Sequence, residues 1–387
     1  MLFYAHYIFW ISWFLIIYTY VFFPILINLA ARASKSKSIP IYPEGSDYLP
    51  KVCMVVASYN EAATLPDKLK NTWEIDYPAD KFRLVIGSDG SSDASHDLLN
   101  ACKDKRLLTR LFTERRGKIS VLNDLVAGIT ENDAEILVFS DANTMFAPDA
   151  LKKLVAHFQD LKVGCVSGEL KLEKKGGVSG EGFYWRYENW IKKSESHLGF
   201  LIGCNGGIFA LRRELYEPLP ANTIVEDFVI TLRILEKGWN VVFEPDAVGV
   251  EPPAPSSRAE MVRKIRIGAG NFQALFLTHR LLGPTYGLRS FAYWGHKVIR
   301  WFVPVFLITA FAANLLLLSS PFFVALLLLQ LTGFIAAYWS YFSIETKPAP
   351  KLIRLCGYFY LMNYAIFCGL LRFLRGNQRV TWERASR

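Results

Sequence analysis

Residues 51–93 read KVCMVVASYNEAATLPDKLKNTWEIDYPADKFRLVIGSDGSSD. Two short apolar runs, Val52–Ala57 and Leu84–Gly87, bracket a charged segment, Ala62–Asn71, whose apolar residues recur at helical spacing. Strand, helix and strand in that order predict parallel strands joined by a crossover helix. Beyond this unit, Asp93–Ala101 reads as another helix. Ile136–Phe139, Gly164–Ser167 and Val241–Phe243 read as further strands. The expectation is an α/β domain over residues 51–257 with a mostly parallel sheet.

Three of these strands hand the chain to a polar motif: Ser58-Tyr59-Asn60-Glu61, Ser88-Asp89-Gly90-Ser91-Ser92-Asp93 and Ser140-Asp141-Ala142-Asn143. In open α/β sheets, ligands bind beyond the carboxyl ends of the strands. Each motif alone is also good turn chemistry, but three at one edge are harder to produce by accident. A nucleoside diphosphate gives the edge a purpose. A carboxylate such as Asp89 can accept hydrogen bonds from a base or a ribose. Asp141 suits a divalent cation, since Mg²⁺ takes one or two carboxylates and fills its shell with phosphate and water. Lys118, after Arg115-Arg116-Gly117, opens a helix whose N-terminus favours phosphate; a solvated basic turn is the other reading. Asp227, just before the apolar run Phe228–Leu235, reads on its own as a helix-capping residue.

The ends differ in character. The chain has 387 residues, 52% of them hydrophobic and 20% charged, with mean hydropathy +0.20. These values fit a soluble middle between membrane segments. Tyr7–Ala31 is long enough to cross a bilayer, so residues 1–33 are expected as a transmembrane helix and 34–50 as a linker. Arg32, Lys35 and Lys37 place the chain beyond that helix in the cytoplasm. Phe183–Ile202 is aromatic and amphipathic, and reads equally as an interfacial or a packed helix. Residues 258–296 read as a second amphipathic segment. Residues 297–374 hold two to three transmembrane or re-entrant helices, with a break at Ser319-Ser320-Pro321 and a last segment Leu352–Leu374. The tail 375–387 is basic and by the same rule is expected in the cytoplasm; either one of the three C-terminal segments does not cross, or the tail is an exception to the rule. The net charge of +9 suits membrane lipids or phosphates. Nucleic acid is disfavoured, because no basic run is interleaved with stacking aromatics. Six cysteines without a CxxC suggest neither zinc nor a disulfide framework. Oligomeric state leaves no mark in the sequence.

The ordered motifs from Lys51 to Gln273 resemble glycosyltransferase family 2, with the GT-A fold, and within it the membrane-bound bacterial polysaccharide synthases of the cellulose, hyaluronan and chitin synthase type. The resemblance implies an inverting hexosyltransferase using a nucleotide-sugar donor, a UDP-sugar first and a GDP-sugar second, with Mg²⁺ or Mn²⁺. It assigns Asn60, Glu61, Asp89, Lys118 and Arg266 to the donor, and Asp141 and Asn143 to the metal. Glu226 and Asp227 form the catalytic motif, with Asp227 as general base. Gly206 and Gly207 face the acceptor, where glycine lets backbone approach a sugar. Two departures stand out: Asn143 replaces the second acid of a DxD motif, and the QxxRW motif is represented by Arg263, Arg266 and Ile267. The implied acceptor is a growing cell-envelope or extracellular polysaccharide, with a lipid acceptor as the alternative. The implied location is the inner (plasma) membrane, multi-pass, with a cytosolic catalytic domain. A transporter or scaffold carrying a nucleotide-binding domain is a remote rival, since the apolar spans hold few polar residues.

Overall fold

A computed structural model describes residues 2–34, 48–173, 181–253, 256–342 and 350–376. Most of the expected linker and the basic tail beyond Gly376 lie outside the described residues. The described residues fall into two compact units. One draws on residues 2–33, 181–194, 256–342 and 350–376; the other on residues 34, 48–173 and 195–253.

In the second unit the described residues form one sheet of eight strands: β1 (Val52–Ser58), β2 (Phe82–Asp89), β3 (Leu107–Phe112), β4 (Ile136–Phe139), β5 (Met145–Phe146), β6 (Val163–Leu172), β7 (Phe209–Arg212) and β8 (Asn240–Glu251). Their order is β3-β2-β1-β4-β7-β6-β8-β5. β3, β2, β1 and β4 are mutually parallel, as are β6 and β8, while β7 runs antiparallel to both β4 and β6. β5 pairs antiparallel with β8. The sheet is thus mostly parallel, as expected, and the five anticipated strands are all present. β3, β5 and β7 were not anticipated, and each hides its signal. β3 lies at the sheet edge with Thr109 and Arg110 interrupting its apolar residues, β5 has two residues, and β7 has four shortly after a glycine loop. β1 and β4, buried on both faces, read as uninterrupted apolar runs.

The core gathers Val52, Met54, Val56, Leu84, Ile86 and Val138 with Leu65, Leu151 and Leu154 from covering helices. Gly87 sets the depth of another covering helix. A Cβ there would stand 2.4 Å from Val121 of helix Lys118–Ala127, so that helix rests directly on β2. The pairing Ser58↔Ser88 and Val55↔Phe139 brings the ends of β1, β2 and β4 to one edge.

Among the described residues of the first unit four helices are long and apolar enough to cross a membrane: Leu2–Ala33, Leu288–Leu315, Pro321–Trp339 and Lys351–Leu374. The expected break at Ser319–Pro321 is a turn, with Pro321 opening the next helix, where a missing N–H costs nothing. The aromatic segment becomes helix Glu181–His197, and its described part within this unit is packed. Glu188 is buried and pairs with Arg300, with His296 at 3.1 Å and with Lys297 at 3.9 Å. Tyr187 Oη donates to the Tyr20 carbonyl at 2.8 Å. Helices Ser257–Leu277 and Lys351–Leu374 touch backbone to backbone, since a Cβ on Gly369 would lie 2.6 Å from Ala269 N.

Candidate active site

The β1 and β2 ends are stitched together. Asn60 takes a left-handed conformation, φ 53°, which Asn tolerates better than most residues. Its N–H donates to Ser91 Oγ at 3.0 Å, and its Oδ1 accepts from Ser92 N at 2.8 Å. Glu61 N donates to Ser95 Oγ at 3.0 Å. Asp93 accepts from Ala62 N and Ser95 N, each at 3.0 Å. Asp89 is 4% exposed and accepts from the backbone N–H of Arg116 at 2.6 Å and of Gly117 at 2.8 Å. It therefore holds the turn that delivers Lys118. Gly117, at φ 91°, makes that turn possible. The Arg115 guanidinium lies over the Tyr59 ring, 3.9 Å from its centroid.

Lys118 is the first residue of its helix, and its ammonium joins two segments distant in sequence. It lies 2.6 Å from Asp141 Oδ1 and 2.7 Å from Glu226 Oε1. Burial alone would pull its pKa down, but Asp141 and Glu226 outweigh burial and hold it above the usual lysine range. Helix Glu226–Glu236 starts at Glu226, with Val225 in the capping position and no side-chain cap. Asp227 therefore lies within the first turn and is not the N-cap. Burial, and behind it the neighbouring Glu226, pushes the Asp227 carboxyl up to about 7, with Lys118 opposing. Gly206 stands against it: a Cβ there would lie 2.7 Å from Asp227 Oδ2. A Cβ on Gly207 would lie 2.6 Å from Glu251 Oε1. A small cleft lined by Lys118, Glu226, Gly206 and Ser140 has an apolar floor of Val55, Leu122, Phe139 and Phe209.

The structure thus gathers Lys118, Asp141, Glu226, Asp227 and Gly206 around one point, and Asn60, Glu61 and Asp89 at the adjoining loops. Arg266 is half-buried on helix Ser257–Leu277, in the helical unit. Asn143 is half-buried two residues beyond Asp141. Among the described residues no group of three or more His, Cys, Asp or Glu forms a metal cage. One Asp with a nearby Asn carbonyl still fits an ion that keeps phosphate and water in its shell.

The sequence profile described as "Glycosyltransferase like family 2" matches residues 50–269. The chain belongs to that family. It is 25% identical over 256 residues to the probable glycosyltransferase YdaM of Bacillus subtilis (strain 168), covering 61% of this chain and 58% of the relative. It is 26% identical over 210 residues to poly-beta-1,6-N-acetyl-D-glucosamine synthase of Staphylococcus aureus (strain COL), covering 52% of this chain and 50% of the relative. The matched part thus spans between half and three-fifths of those curated relatives. Among solved structures, mannosyltransferase PcManGT from Pyrobaculum calidifontis, in complex with GDP-Man and Mn²⁺, superposes with TM-score 0.73 at 25% identity, covering 96% of this chain and 99% of that one. The fold of the chain is GT-A.

The sequence reading assigned no role to several residues that support this site. Lys68, with no exposed surface, donates to Ser140 Oγ at 2.7 Å and to the Thr144 carbonyl at 2.6 Å. Thr144 Oγ1 donates to Glu251 Oε1 at 2.5 Å. Asn123 accepts from Tyr216 Oη at 2.7 Å and donates to the Leu219 carbonyl at 2.8 Å. Lys68 lies in a charged helical stretch and gives no signal of burial. The Asn123 contact joins segments 93 residues apart in the chain.

Proposed function

We propose that this glycosyltransferase moves a hexosyl group, with inversion, from a nucleoside-diphosphate sugar to an acceptor hydroxyl. The observation that carries this is Asp227, a carboxylate pushed up to about 7 beside Gly206 and one residue from the Lys118–Glu226 pair. A general base near the operating pH removes a hydroxyl proton efficiently. The acceptor oxygen attacks the anomeric carbon as Asp227 takes its proton, and the nucleoside diphosphate leaves with the bonding electron pair. Lys118, at a helix N-terminus, faces the charge that develops on the leaving group. Asp141 and Asn143 would hold Mg²⁺ or Mn²⁺, which when bound supplies Lewis-acid neutralisation of the diphosphate. The Mn²⁺ and GDP-Man in the PcManGT complex support that reading and set a GDP-hexose beside a UDP-sugar as donor.

A polysaccharide acceptor is supported by the named activity of the staphylococcal relative. Transfer of one sugar to a lipid acceptor is the second reading, favoured by Ile267 where the synthases carry a Trp. Incubating membranes with labelled UDP- and GDP-sugars and sizing the product tests both. Polymer supports the first, a single glycolipid the second, and no transfer from any donor overturns the function. The four apolar helices support an integral membrane protein with its catalytic unit facing the cytosolic nucleotide sugars and its tail in the cytoplasm. Labelling of a Ser386→Cys variant, otherwise free of cysteine, by an impermeant thiol reagent on intact cells would place the tail outside and refute that topology.

A further inference from the structure

Helix Leu65–Trp73, LPDKLKNTW, buries Leu65, Lys68 and Thr72. An ammonium removed from water costs several kcal/mol unless it is well bonded, so a fully buried lysine needs a reason. Lys68 Nζ reaches Ser140 Oγ and the Thr144 carbonyl, and lies 5.0 Å from the centroid of the Phe146 ring. One turn further on, Asn71 Nδ2 donates to the Phe146 carbonyl at 2.8 Å, and Asn71 Oδ1 accepts from Phe146 N at 2.8 Å. All four bonds fall on residues 140–146, the loop that carries Asp141 and Asn143. They grip it before Asp141 and after Asn143. From the far side Thr144 is held by Glu251, which itself lies against Gly207.

We propose that Lys68 and Asn71, one turn apart on helix Leu65–Trp73, are positioning residues that fix the Ser140–Phe146 loop so that Asp141 and Asn143 can take a divalent cation with a nucleoside diphosphate. The proposal rests on the assignment of those two residues to the cation made above. An apolar side chain at position 68 would fill the space but leave the Thr144 carbonyl without its donor, and a buried acceptor left unbonded lets the loop move toward another partner. Groups that orient ligating carboxylates commonly matter 10–100-fold for metal affinity.

The test uses full-length protein carrying Lys68→Met or, as the milder change, Asn71→Ala. Mn²⁺ uptake is followed by EPR of the free ion, in separate titrations with GDP and UDP. Amide hydrogen exchange is followed in peptides covering 140–146 and 88–95. Lys68→Met is expected to weaken Mn²⁺ binding roughly 10–100-fold, to speed exchange in 140–146 but not in 88–95, and to raise donor KM more than it lowers kcat. Asn71→Ala should move the same readouts less, and it carries the test if Lys68→Met does not fold. Faster exchange with unchanged Mn²⁺ affinity would overturn the proposal and leave Lys68 a packing residue. A wild type that takes up no Mn²⁺ would overturn the cation assignment and the proposal together. A wild type that binds and variants that bind equally well would overturn the proposal alone.

Discussion

The two halves of the strand-end edge are built on opposite electrostatic plans. On the β1–β2 side, polar groups satisfy one another: Asn60 is tied to Ser91 and Ser92, Asp93 to two backbone amides, and Asp89 to two more. On the β4 side, Asp141 and Glu226 converge on one ammonium, Lys118, and Asp227 stands next to them with its pKa pushed up to about 7. A self-satisfied set of loops is a preformed surface, stiff before any ligand arrives. Crowded carboxylates are poised to exchange protons and cations, and perturbed groups of this kind cluster where chemistry occurs. The edge thus divides into a recognition half and a reacting half.

The division breaks most sharply at Asp227. Asp227→Asn removes the base and leaves the stitched loops alone. Transfer should fall about 10²–10⁴-fold, with donor KM nearly unchanged. Retention of more than half the wild-type rate would remove Asp227 from the reaction. Gly206→Ala comes next. Its new Cβ would lie 2.7 Å from Asp227 Oδ2, so the carboxylate must shift, and small misplacements of a reacting group are costly. A loss of kcat of roughly tenfold or more is expected, with the melting temperature unmoved. A variant with wild-type kcat would show that Asp227 has room the geometry denies it. On the other half, Asp89→Asn turns one acceptor oxygen into an N–H₂ facing a backbone N–H. The expected cost is about 1–3 kcal/mol of stability, read by denaturant unfolding, with a rise in donor KM and little change in kcat. The reverse pattern, kcat lost and stability kept, would place Asp89 in the reacting half.

The recognition half was the more legible from sequence, for a physical reason. Its motifs are contiguous, and each follows an apolar run that the chain buries on both faces. What stayed hidden was the partner of Asp89, because the turn that carries Arg116 and Gly117 returns to β2 only after β3 intervenes. The reacting half joins Lys118, Asp141 and Glu226, three segments that meet only in the folded sheet. Resemblance named those residues, but only their geometry brings them to one ammonium. Asp227 illustrates the limit: on local pattern alone it is a helix cap, yet the capping position belongs to Val225. β7 was invisible for a related reason. Its four residues gain strand character from β4 and β6 on either side, not from their own pattern.

The last expected effect concerns stability, and it separates the halves without any substrate. A carboxyl whose folded pKa lies above its unfolded value of about 3.9 binds its proton more readily in the folded state. For Asp227, at about 7 when folded, the folded chain therefore holds the extra proton between about pH 4 and pH 7, and stability is lost as pH rises through that window. Above it, the native state carries an ionised, half-buried carboxylate beside Glu226, a strain that serves the reaction and opposes the fold. Asp227→Asn should relieve it. The variant should be more stable than the wild type at pH 8, and the difference should shrink toward pH 5, where Asp227 is protonated. Asp89→Asn should show no such gain at pH 8, because the wild-type carboxylate there is held by two amides that asparagine cannot both satisfy. Paired unfolding curves of the two variants at pH 5 and pH 8 are the measurement. Equal losses of stability in both variants at pH 8 would mean that Asp227, like Asp89, belongs to the scaffold, and the division of the edge would fail.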